Sequence, residues 1–153
     1  MSANALDTIL EQNRGGVWFL PAHKEPRVVQ KLAKEAGFAF FHVDGKTIGR
    51  KEQLLNHMAN ALQFPKEFGH NWDALEDHLT DLEWVDADGY VIYYDHIDGL
   101  LGAHPDQFET LVEILRDAVA SWKEDGTAMI VLLSGAKAPK GVGKLSPKED
   151  PDD

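Results

Sequence analysis

The chain has 153 residues, of which 43% are hydrophobic and 27% charged, and this composition predicts one globular domain with a substantial core. Its formal net charge of −11 argues against binding to nucleic acid or to an anionic membrane, because both need clustered Lys and Arg, and favours a basic partner. The absence of cysteine excludes disulfides and thiolate metal sites, and no window approaches the 18 continuous apolar residues of a membrane span.

The first 16 residues bear on the cellular compartment of the protein. Residues 1–16 lack the basic start and apolar run of a secretory signal peptide, so the sequence predicts none. A chain without cysteine also fits a reducing compartment. We therefore expect a cytoplasmic protein.

Apolar runs and helical periodicity predict alternating strands and helices. In chain order these are a strand at 17–20, a helix at 26–36, a strand at 38–43, helices at 50–62 and 71–84, a strand at 90–95, a helix at 106–124 and a strand at 128–133. The strands are apolar throughout and helices separate them, which is typical of a parallel sheet covered on two faces. Residues 135–153 are polar and rich in Pro, Gly and Lys, and predict a flexible tail.

The segment from Asn71 to Asp88 stands out because seven of its 18 side chains are carboxylic acids and none is Lys or Arg. Like charges one helical turn apart cost about 0.2–0.5 kcal/mol per pair, so this charge is held at a cost. The pattern is also wider than the helix, since residues 67–115 contain 13 acids and no Lys or Arg. The folded molecule should therefore carry one strongly negative region.

The predicted acidic helix has two distinct faces at 100° per residue. Its core face consists of Trp72, Leu75, Leu79 and Leu82. Asp73, Asp77 and Thr80 point together to the other side, with Glu76 at the edge. Asn71 is placed to cap the helix, and Asp73 lies in the first turn, where the helix dipole favours a negative charge.

Three interpretations of this acidic face are open. In the first, the face is solvated and keeps the protein soluble, which is the usual role of a run of charged residues. In the second, the face is a metal site in which Asp73, Asp77 and His78 combine with His70 or His96, although no spacing matches a known metal loop. In the third, the face imitates a polyanion and enters a basic cleft of a partner. The lack of interspersed Lys favours this third interpretation.

No catalytic arrangement is recognisable in the sequence. The seven histidines are scattered, none forms a convincing nucleophile arrangement with a Ser, and His42 near the end of a predicted strand fits a satisfied core residue. We therefore assign no catalytic residue, no metal ligand and no cofactor, and predict a protein that is not an enzyme. A metal-dependent enzyme that uses Asp73, Asp77 and a nearby histidine is the alternative from another class.

The segment 64–80, FPKEFGHNWDALEDHLT, resembles the signature of the barstar family, intracellular inhibitors of the secreted ribonuclease barnase. The shared residues are Pro65, Phe68, Gly69, Asn71, Asp73, Ala74, Leu75, Asp77 and Leu79. The segments 43–48, 114–118 and 130–134 resemble the family's first strand and turn, its last helix and its last strand. The resemblance therefore extends from near Phe38 to Ser134.

The resemblance implies the family's fold, a three-layer α/β/α sandwich with a small parallel sheet. We expect a barstar-like domain at residues 38–134, extended by one strand and one helix from residues 1–37 of the same domain. Residues 135–153 are expected to be the flexible polar tail.

The resemblance also implies a function, in which the acidic helix binds and blocks the active-site cleft of a basic ribonuclease. It implies that Asp77 occupies the place of an RNA phosphate, that Asp73 supports it, and that Asp117 is the nearest match to a further acid on the last helix. The partner-binding set is Phe68, Gly69, Asn71, Asp73, Glu76, Asp77, Thr80 and Asp117. We expect a monomer when free and a protein partner, with neither nucleic acid nor membrane bound.

The sequence departs from the family at two positions near the key aspartates. Glu67 and Glu76 stand where barstar has aromatic residues, so two apolar contacts are replaced by carboxylates. This favours a different, more basic nuclease as the partner. A barstar-like fold kept as a regulatory binding module, without a nuclease partner, is a further alternative.

Overall fold

The computed structural model describes residues 5–65 and 69–145, whose strands form one parallel sheet. The strands are β1 (Gly16–Leu20), β2 (Ala39–Asp44), β3 (Gly89–Asp95) and β4 (Ala128–Ser134). They lie side by side in the order β1-β4-β3-β2, and every neighbouring pair is parallel. The sequence therefore predicted each of these strands to within one residue at either end.

Helices cover both faces of the sheet. They are α1 (Ala5–Glu11), α2 (Pro26–Glu35), α3 (Lys51–Leu62), α4 (Trp72–Leu79), α5 (Asp98–Ala103) and α6 (Pro105–Glu124), with a 3-10 turn at Gly45–Thr47. Helices α1 and α2 pack on one face and the others on the opposite face, which confirms the α/β/α sandwich. None of these helices is long and apolar enough to cross a membrane.

The two central strands separate two apolar cores. Val91 and Tyr93 of β3 belong to the core beneath α1 and α2. Ile92 and Tyr94 belong to the core beneath the other helices. Successive side chains of a strand point to opposite faces, so a strand covered on both sides must be apolar at every position.

The segment before residue 38 supplies more of the fold than the sequence predicts. Besides the expected strand β1 and helix α2 it forms helix α1, whose seven residues are too few for a clear apolar period. Leu6, Ile9 and Val29 are buried in the core of that face. Of the helices in the described ranges, those on one face of the sheet therefore all come from this segment.

The segment after β4 differs from the predicted flexible tail as far as residue 145. The backbone N–H of Phe19 in β1 donates to Gly143 O at 2.9 Å, and Leu145 N–H donates to Phe19 O at 2.8 Å. Val142 and Leu145 are buried, and Arg116 of α6 donates to Gly141 O. The prediction missed this because two isolated apolar residues give no period, and residues 146–153 lie outside the described part.

Candidate functional site

Helix α4 begins as the sequence predicts. The Asn71 side-chain oxygen accepts a hydrogen bond from Ala74 N–H at 2.8 Å, and the Asn71 backbone is extended, as an N-cap requires. In the turn before the cap, His70 has a positive φ of 53°. A Cβ at Gly69 would lie 3.3 Å from Asn71 Nδ2, so glycine keeps this approach to the cap open.

Helix α4 ends earlier than predicted, at Leu79 instead of residue 84. The Thr80 hydroxyl donates to Glu76 O at 3.0 Å and to Asp77 O at 3.1 Å, which satisfies carbonyls of the last turn. Leu82 then has a φ of 45° and is fully buried. Tertiary burial therefore prevailed over the helical spacing that continued through the sequence.

Two contacts fix α4 against its neighbours. The Trp122 indole N–H of α6 donates to Leu79 O at 2.8 Å, while Leu75 and Leu79 are buried beneath the helix. At the other end, Lys51 Nζ of α3 lies 5.1 Å from the centroid of the Trp72 ring, within the range of a cation–π contact. The helix is therefore a rigid support for its outward side chains.

The carboxylates on the outward face of α4 have no ion-pair partner among the described residues. Asp73 and Asp77 are exposed and Glu76 is half-buried. Residues 5–65 and 69–145 contain no ion pair that involves any of these three side chains. Being four residues apart, Asp73 and Asp77 project from one face, and their charges are available to an external cation.

The other predicted contact residues lie at different distances from this face. Asp117 is exposed on α6, one turn before Ser121, and Ser121 lines a shallow concavity together with Thr80. The preceding residue, Arg116, donates a hydrogen bond to Gly141 O. Phe68 lies outside the described residues.

A second polar cluster, which the sequence analysis missed, lies where the parallel strands end. Asp95, the last residue of β3, is 2% exposed, and its two oxygens face different histidines. His23 Nε2 lies 3.3 Å from Asp95 Oδ2, and His42 Nε2 lies 3.0 Å from Asp95 Oδ1. The His23 ring is stacked on that of His96, with centroids 5.1 Å apart.

Buried polar contacts hold this cluster in place. The Tyr93 hydroxyl donates to Lys24 O at 2.8 Å and lies 3.1 Å from Ser134 Oγ, which ties the loop after β1 to β3 and β4. Burial raises the pKa of the Tyr93 hydroxyl, so it remains a proton donor. Gly45 has no room for a Cβ, which would lie 2.3 Å from both Asp95 O and His96 O.

The positions of the histidines bear on the alternative interpretation of the acidic helix as a metal site. In the described ranges, the group of three metal-binding side chains that come close together is His23, Asp95 and His96, and neither Asp73 nor Asp77 belongs to it. His96, offered as a partner of those aspartates, lies instead at the end of β3. The sequence signal was a polar residue at the end of β3 and another shortly after β1, but the order of the strands was needed to bring these residues together.

The fold and the acidic helix define a parallel α/β protein that presents a carboxylate-bearing helix on its surface. The family model described as barstar, the barnase inhibitor, matches residues 38–134. The match covers more than half of the chain, so the protein belongs to the barstar family. The resemblance noted in the sequence is thereby confirmed.

Two solved structures are similar over much of the chain. A chain in the structure of Drosophila ORC bound to DNA has 12% identity and a TM-score of 0.47, with 84% of this chain and 70% of that chain covered. A chain in the structure of Drosophila ORC bound to AT-rich DNA and Cdc6 has 12% identity and a TM-score of 0.41, with 82% and 42% covered. Similarity this low carries no argument about function. A comparison with curated proteins found no match.

Proposed function

We propose that this protein is not an enzyme and that it binds and blocks a basic ribonuclease by placing helix α4 in the active-site cleft. The observation that carries the proposal is the exposed pair Asp73 and Asp77 on a capped, rigid helix of a barstar-family chain. A cleft that binds RNA phosphates is lined by cations, and two carboxylates at one helical spacing are suited to the same cations.

Because no described residue forms an ion pair with the α4 carboxylates, this surface can gain free energy on binding a basic partner. In the free protein the like charges of Asp73 and Asp77 repel each other, and a cationic cleft removes that repulsion. The net charge of −11 attracts a basic partner before contact, which raises the association rate more than the final affinity. Desolvated carboxylates at the centre of the contact then determine the dissociation rate.

The individual residues take distinct parts in this proposal. Asp77 meets the cations that would hold a phosphate, and Asp73 supports it from one turn earlier. Asp117 adds a contact from α6, while Thr80 and Glu76 lie at the margin of the surface. Asn71 acts indirectly, because its cap fixes the first turn that carries Asp73.

A paired capture experiment tests this function. The baits are the wild-type chain, Asp73→Ala/Asp77→Ala, and the control Asp86→Ala/Asp88→Ala, which removes the same charge from two exposed aspartates outside the helix. Proteins captured from the cells and medium of the source are identified by mass spectrometry, and ribonuclease activity is measured with and without added bait. We expect the wild type and the control to capture and inhibit a basic ribonuclease that the helix variant does not.

The opposite outcomes are equally informative. Capture of the same proteins by all three baits would assign the acidic helix to solvation and refute the proposal. Capture of a non-nuclease that depends on Asp73 and Asp77 would keep the surface and overturn the inhibitory role. Association that does not slow as salt rises would contradict electrostatic steering.

A further inference from the structure

We propose that His23, Asp95 and His96 form a binding site for a late first-row divalent metal ion, with Zn²⁺ as the test ion. One ligand atom from each of the three side chains lies within 4.8 Å of the other two. Two imidazoles and a carboxylate are a ligand set that binds such ions in proteins. This inference is independent of the proposed ribonuclease contact.

The separation of the donor atoms fits a metal ion. Metal–ligand bonds of about 2.0–2.2 Å at tetrahedral angles place neighbouring donor atoms about 3.3–3.6 Å apart. His23 Nε2 and Asp95 Oδ2 are 3.3 Å apart, so an ion can replace the hydrogen bond between them without displacing either atom. The third donor, on His96, lies within 4.8 Å of the other two, and its ring must rotate out of the stack with His23 to aim a nitrogen at the shared ion.

The surroundings provide the support that metal ligands require. His42 Nε2 lies 3.0 Å from the other oxygen, Asp95 Oδ1, and so fixes the carboxylate from behind. The loop that carries His23 is held through Lys24 by the Tyr93 hydroxyl. The close packing of Gly45 fixes the backbone at His96, whose φ of 52° is uncommon outside glycine.

The position in the fold also suits a ligand site. Parallel α/β sheets bind ligands beyond the carboxyl ends of their strands, where the chain leaves neighbouring strands toward opposite faces. Here the cluster lies beyond the carboxyl ends of the strands, where the chain leaves β1 toward α2 and leaves β3, separated from β1 by β4, toward α5 and α6 on the other face. The His23 side chain is 40% exposed, so water can reach a coordination position that the three residues leave open.

A bound ion would link two parts of the chain. His23 belongs to the segment before residue 38, whereas Asp95 and His96 lie within the range that matches the barstar family. The ion would therefore hold the helical layer of α1 and α2 to the sheet. Because the ligands come together only in the folded chain, binding should raise the unfolding temperature.

The test uses the tag-free full chain and Zn²⁺ alone. Titration calorimetry should show one ion per chain for the wild type, and excess Zn²⁺ at about 100 times the dissociation constant should raise the Tm by about 5 °C or more. His23→Gln and His96→Gln should each weaken binding at least tenfold. Co²⁺ should give the visible absorption of a four- or five-coordinate ion in the wild type and lose it in both variants.

Two controls make the result specific. His104→Gln changes a histidine outside the cluster whose side chain makes no cap hydrogen bond, and Asp73→Asn/Asp77→Asn changes the acidic helix. Both controls should bind Zn²⁺ as the wild type does. Circular dichroism without metal checks that each variant is folded, and His23, on an exposed loop, is the variant least disturbed by replacement.

Several results would overturn the inference. Absence of Zn²⁺ binding by the folded wild type would show that the cluster is a hydrogen-bonded structural feature only. Unchanged binding in His23→Gln and His96→Gln would place the ion elsewhere. Loss of binding in the Asp73→Asn/Asp77→Asn control alone would move the site to the acidic helix.

Discussion

Asp77 and Asp95 are the same side chain in two opposite environments. Asp77 is exposed on α4, has another aspartate one turn away and forms no ion pair within the described ranges. Asp95 is 2% exposed and faces an imidazole nitrogen at each carboxylate oxygen. The first charge is available for an external partner, and the second already contributes to the folded structure.

The comparison shows why charge composition alone does not reveal function. Both aspartates lie in the stretch of 13 acids without Lys or Arg, and both look uncompensated along the chain. Folding supplies neutral or protonatable imidazoles to one of them and leaves the other in solvent. Substitutions in the two environments should therefore differ in effect, with binding most sensitive at Asp77 and stability at Asp95.

Replacement of Asp77 should affect binding most. If the proposed contact forms, Asp77→Ala removes a carboxylate from a desolvated ion pair and should cost about 2–5 kcal/mol, or about 30-fold to 4,000-fold in affinity for the ribonuclease. The barnase–barstar pair is one of the systems from which this range is taken, so the range serves only as a scale for comparison. Asp73→Ala should be next, and Asp86→Ala, an exposed control, should change affinity little in the same calorimetric titration.

Replacement of Asp95 should affect stability instead of partner binding. Asp95→Ala leaves His23 and His42 without their acceptor and should lower the free energy of unfolding by about 1–3 kcal/mol. Urea unfolding followed by circular dichroism measures the change, with the exposed Asp88→Ala as control. Equal midpoints for the two variants would contradict a structural role for the His–Asp contacts.

The cap of α4 should have an intermediate effect. Asn71→Ala removes the acceptor of the Ala74 N–H and should cost about 1 kcal/mol of stability, within a usual range of about 0.5–2. Asn71→Asp keeps an acceptor at that position and should retain most of the stability. If the alanine and aspartate variants unfold at the same urea concentration, the side-chain cap does not stabilise the helix.

The smallest effect should have the opposite sign. Asp77→Asn removes the repulsion with Asp73 at nearly unchanged helix propensity and should stabilise the free protein by about 0.2–0.5 kcal/mol. The gain should shrink in high salt, where exposed charges are screened. A salt-independent change would attribute the effect to something other than charge, and a loss would show that Asp77 stabilises the free fold.

Much of the fold could be predicted from the sequence. The strands are apolar runs bounded by turn residues, and α6 shows a clear helical period, so both were found with small errors at their ends. The end of α4 was misplaced because Leu82 continues the apolar spacing of the helix toward Trp84. Both side chains instead pack through a turn, where the Trp84 indole N–H donates to Leu62 O at 2.9 Å.

The two polar regions differed in how well the sequence predicted which of their residues lie together. Asn71, Asp73 and Asp77 are close along one helix, so helical geometry alone places them together. The cluster around Asp95 draws on residues from three strand ends that are far apart in sequence. Its assembly depends on sheet order and register, which no local pattern encodes.

The hydrogen bonds between Phe19 and the segment ending at Leu145 have a consequence for self-association. Strand β1 is an apolar edge strand, and free backbone groups on such an edge offer a template on which another copy can add a strand. Near the end of this strand, the backbone N–H of Phe19 donates to Gly143 O, and the backbone oxygen of Phe19 accepts from Leu145 N–H. The segment after β4 therefore covers part of this edge, which leaves fewer free backbone groups for a strand of another copy.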